Sequence, residues 1–413
     1  MKRKNYWFLF AILLLSLTSL SPSFEFTKNV GNHTPGKDPI PPSQTPDTPE
    51  SDLGPIQIAV QVNGDELDKL KQMNEAFMKE TGAVVEIIPM ESLESNESGL
   101  MGQMNLGEGP DVLLVDSQWI NSLAVKGYLL PIDASQTDVP DSQLLGGLLP
   151  PVQWNGYQWG IPFDMDPYVL LWSPEGDQSE LPSNRKAWLD YKNNNGDRPV
   201  FALDPDDPYA FASIVATLGG NPAQPNKEVI SMLAPPVGDS WIDFIDTKGA
   251  IKPSTERSEG AGASIVIGAY SLLGRYLPEG SQLTLVSNNS NSTQPIIKSR
   301  SFAVTAQSES SSLAMAWIAK MTSKDAVLAW TEATGNLTAV SIIDNYTDSA
   351  INHSKMHREI IEQVTSMMEH DEAVRLNFGR DDGFGIYSSS VSDLLHGRMK
   401  IKEFLEQYKT ASP

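Results

Sequence analysis

Asp164 and Asp166 stand two residues apart in WNGYQWGIPFDMDPYVLLW, residues 154–172, a stretch that holds six aromatic side chains and these two carboxylates. Aromatic faces interleaved with carboxylates suit carbohydrate, because C–H faces stack on rings while hydroxyl groups donate to charged acceptors. The plainer reading puts Trp159, Tyr168 and Trp172 in an ordinary core. On an extended strand residues i and i+2 share a face about 6–7 Å apart. That spacing fits the acid and base of a glycosidase, which need roughly 5–10 Å between them. It fits a pair of hydroxyl acceptors in a binding cleft equally well.

Other chemistries have less to stand on. The chain has no cysteine, which removes thiolate metal sites, iron–sulfur clusters and cysteine nucleophiles. His353 and His357 have metal-compatible i, i+4 spacing on an expected helix, but no third ligand accompanies them. DPDDP at 204–208 and GRDDGFG at 379–385 are acidic turns without the calcium-loop spacing and its distal Glu. GEGPD at 107–111 precedes a strand instead of opening a helix, so it is no phosphate cradle. The serine runs at 310–312 and 388–390 have no matched base and no GxSxG. No cofactor and no metal are expected. A formal net charge of -22 argues against nucleic acid and anionic lipid and suits neutral or cationic ligands.

The elements that must position these residues read as alternating strands and helices. Residues 55–62 (PIQIAVQV) alternate apolar and β-branched side chains, and Asn63-Gly64-Asp65 turns into a helix with Leu67, Leu70, Met73 and Phe77 at helical spacing. Gly82 ends that helix, 83–88 (AVVEII) is a second strand, and Pro89 closes a βαβ unit with a parallel sheet. The apolar run DVLLV at 111–115 reads as a strand buried on both faces, followed by a helix at Ser117–Val125 that Gly127 stops. Ligands in such open sheets sit beyond the carboxyl ends of the strands, here 63–66 and 116–119. Met356, Ile360, Val364 and Met367, then Val391, Leu394, Leu395, Phe404 and Leu405, fall at helical intervals.

The N-terminus reads as a targeting segment. Lys2, Arg3 and Lys4 precede an uncharged run at 6–20, and Ser21 and Ser23 fit a cleavage site. The run extended through Phe24 is also just long enough for a tilted anchor. Residues 27–54 are rich in Pro, Ser and Thr and read as a spacer. Together 1–26 is a signal peptide or N-terminal anchor, and export is expected. A lipoprotein is excluded by the missing cysteine.

Several segments, taken in order, resemble a known family. They are IQIAVQVNGDELDKLKQMNEAFMKETGAVVEIIPM, GPDVLLVDSQWINSLAVKGYLLPID, YQWGIPFDMDPYVLLWSP, ATLGGNP, ASIVIGAYSLLGRY and RSFAVTAQSESSSLAMAWIAKMTSKDAVLAWTEATGNLTAV. These resemble the family 1 extracellular solute-binding proteins, the maltose-binding-protein-like receptors of bacterial ABC importers. The resemblance covers nearly everything from Pro55 onward. It implies an α/β, two-lobed periplasmic-binding-protein-like fold of type II, with lobe 1 at 55–162 plus 302–342, lobe 2 at 163–301 plus 343–413, and a hinge between them. It also implies a non-catalytic, monomeric protein that takes a sugar or oligosaccharide and presents it to permease subunits.

Site residues follow where the motifs match. Asp116, Gln118 and Trp119 correspond to positions that commonly hydrogen-bond or stack on sugar, Asn63 and Asp65 close the preceding strand edge, and Asp164 and Asp166 lie on a crossing segment. The family's usual Gly-Pro-Trp is here Gly268-Ala269-Tyr270, which leaves Tyr270 as the stacking face. Trp241, Phe384 and Trp330 are further aromatic candidates, with Thr338 where the family often has Pro. The expected cleft segments carry few Lys or Arg. Without a lipidation cysteine, the alternative is an anchored envelope receptor or scaffold that senses a solute or polymer without transport.

Overall fold

The computed structural model describes residues 55–62, 64–90, 97–132, 144–174, 180–224, 227–235, 237, 241–245, 263–275, 277–286, 294–341, 355–370, 373–376 and 383–409. The chain divides into two units, Met1–Asp52 and Leu53–Pro413, and all described residues belong to the second. The targeting segment, the spacer, Asn63 and His353 lie outside the described residues.

The strands are β1 (Ile56–Val60), β2 (Val85–Pro89), β3 (Val112–Asp116), β4 (Gln153–Trp154), β5 (Tyr157–Gln158), β6 (Ile161–Trp172), β7 (Phe201–Leu203), β8 (Ile242–Phe244), β9 (Ile265–Ala269), β10 (Gln282–Leu285), β11 (Ile297–Val304) and β12 (Leu337–Thr338). The helices are α1 (Gly64–Thr81), α2 (Glu97–Leu106), α3 (Ser117–Val125), α4 (Arg185–Asn194), α5 (Pro208–Thr217), α6 (Lys227–Leu233), α7 (Tyr270–Leu273), α8 (Ser311–Met321), α9 (Lys324–Thr334), α10 (Lys355–His370), α11 (Gly383–Leu395) and α12 (Ile401–Lys409).

One mixed sheet runs β2-β1-β3-β11-β6-β9-β7-β8, with β10 and β12 also pairing to β6. It consists of two parallel triplets. β1 pairs in parallel with β2 and β3 on one side, and β7 with β8 and β9 on the other. The antiparallel strands β11 and β6 cross between them. The βαβ unit forms as the sequence predicts, with Ile56 opposite Val85, and Gly82 ends α1 at φ 74 while its N–H bonds Met78 O. Only a residue without Cβ adopts that left-handed cap freely.

β3 is buried on both faces, which explains its unbroken apolar run. Leu113 and Val115 join one apolar layer, and Val112 and Leu114 the other. β6 is buried along its whole length. Phe163, Met165, Val169 and Leu171 pack into one layer, and Tyr168, Leu170 and Trp172 into the opposite one. Each such fully buried apolar side chain contributes roughly 1.5–3 kcal/mol. That apolar packing offsets the cost of holding Asp164 and Asp166 in the same strand.

Two prolines mark where β6 changes partners. Its register against β11 slips between Arg300 and Ser301, which face Asp164 and Pro162 respectively, so Phe163 is the extra residue of a bulge. Pro167 ends the pairing with β11, and from Tyr168 and Val169 onward β6 pairs with β9 and β10. Proline lacks the N–H that a continuous ladder needs, so a bulge and a switch point are where it fits. The expected C-terminal helices form as α10, α11 and α12, with Ile360, Val364, Val391, Leu394, Leu395 and Phe404 buried. No helix among the described residues is long and apolar enough to cross a membrane.

Candidate functional site

Two polar clusters occupy the region where the crossing strands meet the triplets. The first is built on Arg300 of β11, 5% exposed. Its Nε donates to Asp164 Oδ1 at 3.0 Å and its Nη2 donates to Asp164 Oδ2. The other edge of the fork reaches Glu66 in the first turn of α1, with Nη1 and Nη2 each 2.9 Å from a carboxylate oxygen. Asn336 Nδ2 donates to Glu66 at 2.6 Å, and Trp330 Nε1 donates to Asp164 Oδ2 at 2.9 Å. The guanidinium also lies over the Trp330 ring, 5.6 Å from its centroid. Burial pushes the Glu66 carboxyl up, but the charge and hydrogen bonds of Arg300, with help from Asn336, outweigh it and bring the pKa down to about 2.

The second cluster comprises Asp116, Asp166 and Asp207, with Lys298 across the ladder from Asp166. Asp116 ends β3 and caps α3, accepting from Gln118 N at 3.0 Å. Tyr209 Oη of α5 donates to both of its oxygens, each at 2.9 Å. Since α5 follows β7, this bond joins one triplet to the other. Asp207 is the N-cap of α5, accepting from Tyr209 N and Ala210 N, with Pro208 at the first helical position. Its Oδ2 also accepts from Tyr168 Oη at 2.6 Å. The Tyr168 and Tyr209 rings stack with centroids 5.6 Å apart, and Phe384 lies 5.6 Å from Tyr209 on a tilted face. Asp166 accepts from Ser271 N at 2.9 Å and from Ser271 Oγ, at the start of α7.

Burial dominates the acid strength here. It lifts Asp116 and Asp166 to about 6, against the opposing pull of their hydrogen bonds and of Lys298. Asp207 is raised for the same reason, and burial beside carboxylates puts the Tyr168 and Tyr209 hydroxyls well above their ordinary range. Lys298 is opposite Asp166 across the ladder and half-buried. No ion pair ties it to a described carboxylate within 4.0 Å, yet its charge acts on Glu66, Asp116, Asp166 and Asp207. Carboxyls, hydroxyls, an ammonium and aromatic faces thus converge from β3, β6, β11, α5 and α11.

The structure brings Asp116, Asp164, Asp166, Trp330 and Phe384 into these clusters. Trp119 is 5% exposed and shares the apolar layer of Tyr168, Tyr209 and Phe384. Gln118 is half-buried beside Asp116, and Asp65 is exposed in the first turn of α1. Trp241 stacks on Phe201 at 6.4 Å, within the layer under β7. Tyr270 turns its hydroxyl to His357 Nδ1 at 2.8 Å. Trp330 and Asp164 spend a hydrogen bond on each other.

Tyr209, Lys298 and Arg300 are members that sequence reasoning did not single out, whereas Glu66 lies in the expected strand-end segment 63–66 and Asp207 in the acidic turn at 204–208, weighed only for calcium. The expectation of few basic residues is corrected by Lys298 and Arg300, both on crossing strand β11. Asp-Pro-Tyr at 207–209 carried a readable signal, since Asp before Pro is an N-cap followed by a first-turn residue. The spacing Lys298-Ser-Arg300 put two cations on one face of a strand. Among the described residues no group of three or more His, Asp or Glu is placed to hold a metal ion.

Two parallel triplets joined by crossing strands, with a polar site where they meet, define a two-lobed solute-binding fold of the periplasmic type. The sequence matches the family described as bacterial extracellular solute-binding protein over residues 72–350, and the chain belongs to that family. Solved structures agree on the fold. The GacH receptor of Streptomyces glaucescens GLA.O, described unliganded and with acarbose, superimposes with TM-score 0.62 at 15% identity, covering 87% of this chain and 97% of that one. The maltose-maltodextrin binding protein of Alicyclobacillus acidocaldarius gives 0.61 at 13% identity, covering 86% and 99%. An ABC transporter solute-binding protein of Thermotoga lettingae, bound with α-D-tagatose, gives 0.61 at 15% identity, covering 86% and 97%. No curated protein matches the sequence.

Proposed function

We propose that the chain captures a sugar or oligosaccharide between its two lobes, outside the cytoplasm, and delivers it to an ABC importer. The observation that carries this reading is the convergence of Asp116, Asp166, Asp207 and Lys298 with Tyr168, Tyr209 and Phe384. A neutral polyhydroxylated ligand uses all three kinds of group: carboxyls accept from its hydroxyls, the ammonium donates, and rings cover its C–H faces. The ligands named for the similar structures, acarbose, maltodextrin and tagatose, support the carbohydrate class. The chain's net charge of -22 speaks against an anionic ligand.

In this reading Asp116, Asp166, Asp207, Lys298, Trp119 and Phe384 face the ligand, while Asp164 and Trp330 hold Arg300. Lobe 1 comprises 55–162 plus 302–342, and lobe 2 comprises 163–301 plus 343–413, with the hinge in β6 and β11. Ligand stabilises the closed arrangement because only that arrangement engages both lobes, and closure reports occupancy to the permease. The protein performs no catalysis.

A thermal-shift screen of the full chain against mono-, di- and oligosaccharides tests the proposal. Micromolar binding should raise the melting temperature by several degrees at millimolar ligand. A hit that disappears in Trp119→Ala and Asp166→Ala supports the cleft. A shift with peptides or ions, and with no saccharide, would show that the ligand class is wrong. Loss of uptake of the same sugar on gene deletion separates import from sensing.

A further inference from the structure

Apart from the sheet that carries these clusters, β4 and β5 form their own two-stranded ribbon, closed by Asn155 at φ 52 and Gly156 at φ 78. Two positive φ angles in a two-residue loop make a type I′ turn, whose twist matches that of the paired strands. Trp154 and Tyr157 are directly opposite each other across the ribbon. They are 36% and 58% exposed, respectively. Trp159 holds both in place. Its ring lies 5.9 Å from Trp154 and 6.4 Å from Tyr157, its Nε1 donates to Trp154 O at 2.9 Å, and it packs against the core. Ile132 N bonds Gln158 O and pins the base of the ribbon.

We propose that this hairpin is a second carbohydrate-binding site, a surface platform on which Trp154 and Tyr157 stack neutral pyranose rings of a glycan chain. Three features select that occupant. The first is charge: no charged residue occurs between Asp141 and Asp164, in a chain with net charge -22. Next to the rings along the chain stand the exposed neutral residues Gln153 and Asn155. A neutral polyol finds amides there for its hydroxyl groups.

The second is size. Two rings exposed to this degree offer together roughly 200 Å², against the ~800 Å² per partner of a stable protein interface. That area covers one or two sugar rings and is too small for a second copy of the chain. The third is rigidity. A tight turn, a core-anchored Trp159 and a bridged base hold the two rings in place before anything binds, so little ordering entropy opposes a small ligand. The inference rests on the hairpin alone and stands or falls separately from the cleft.

Affinity electrophoresis of the full chain through gels containing soluble starch, hydroxyethyl cellulose or mixed-linkage β-glucan tests it, with pectate as the charged control. The wild type should be retarded in at least one neutral gel and run freely in pectate. Trp154→Ala/Tyr157→Ala should lose that retardation at least tenfold in apparent Kd with an unchanged circular dichroism spectrum. Trp154→Phe/Tyr157→Phe should keep most of it. Asp116→Ala/Asp166→Ala should be retarded like the wild type, which separates the platform from the cleft. Free migration in every neutral gel overturns the proposal. So does retardation that survives the double alanine change, or a dimer in light scattering that this change dissolves.

Discussion

Tyr209 Oη donates to both carboxylate oxygens of Asp116 at 2.9 Å, from a helix of one parallel triplet to the strand end of the other. A strand-end carboxyl that caps α3 therefore also bonds a residue beyond the crossing strands. Burial sets its acidity, and the same holds for Asp166. These two groups give the protein a pH dependence unlike that of an ordinary salt-bridged acid.

Asp116 and Asp166 have folded pKa values of about 6, above the ordinary 3.8. Between those limits the folded state binds more protons than the unfolded one, so stability falls as pH rises through the window. Each group contributes on the order of 3 kcal/mol across it. Glu66 has the opposite sign: its pKa of about 2 gives stability that is present above 4.5 and lost as pH falls towards 2. Melting should therefore be highest near pH 4 and lower at pH 7.5, and Asp116→Asn/Asp166→Asn should flatten that decline. A melting curve that rises steadily from pH 5 to 7.5 refutes the assignment.

Arg300 fills the fork between Glu66 and Asp164. Its removal leaves the buried Asp164 carboxylate and the half-buried Glu66 carboxylate without their cation, so Arg300→Met should cost about 3 kcal/mol. Arg300→Lys keeps the charge but offers no planar fork, and should recover only part of the loss. Urea denaturation at pH 7.5 measures both. Equal midpoints for Lys and Arg would mean that the charge alone matters.

Asp207 does two separable things, capping α5 and accepting from Tyr168. Asp207→Ser keeps an N-cap and removes the tyrosine's carboxylate partner, whereas Asp207→Ala removes both. A lost cap costs about 1 kcal/mol, and the orphaned buried hydroxyl about 1–3 kcal/mol. Alanine should thus be the less stable variant in calorimetry by roughly the cap contribution. Identical melting of the two would assign the whole effect to Tyr168.

The parts legible in the sequence are those fixed by neighbours along the chain. β1, α1, β2, β3 and α3 each carry an apolar period and a terminator, and α3 occupies the expected Ser117–Val125. Asp116 and Asp166 reach the site because strand ends and strand alternation are local facts. Lys298 and Arg300 were hidden for the converse reason: only the pairing of β11 with β6, more than a hundred residues earlier, puts them opposite Asp166 and Asp164. Aromatic residue type was a poor guide. Trp241 and Phe384 look alike in sequence, yet one stacks on Phe201 and the other meets Tyr209 on a tilted face. Asn-Gly at 155–156, bracketed by aromatics, was a readable hairpin signal.

Lys298 offers the sharpest check on the second cluster. Its charge lowers the pKa of Asp116, Asp166 and Asp207 against the rise that burial imposes. Lys298→Met removes that counterweight, so all three carboxyls should hold their protons to higher pH. At pH 5, where Asp116 and Asp166 are largely protonated already, the variant should melt close to the wild type. At pH 7.5 each ionised carboxyl lacks its nearby cation, and melting should fall by a few degrees more than at pH 5. The gap between the two pH values must therefore widen in Lys298→Met. A uniform loss at both would make Lys298 a packing residue whose stem matters and whose charge does not. Lys298→Arg separates these further, since it restores the charge and should close the gap again.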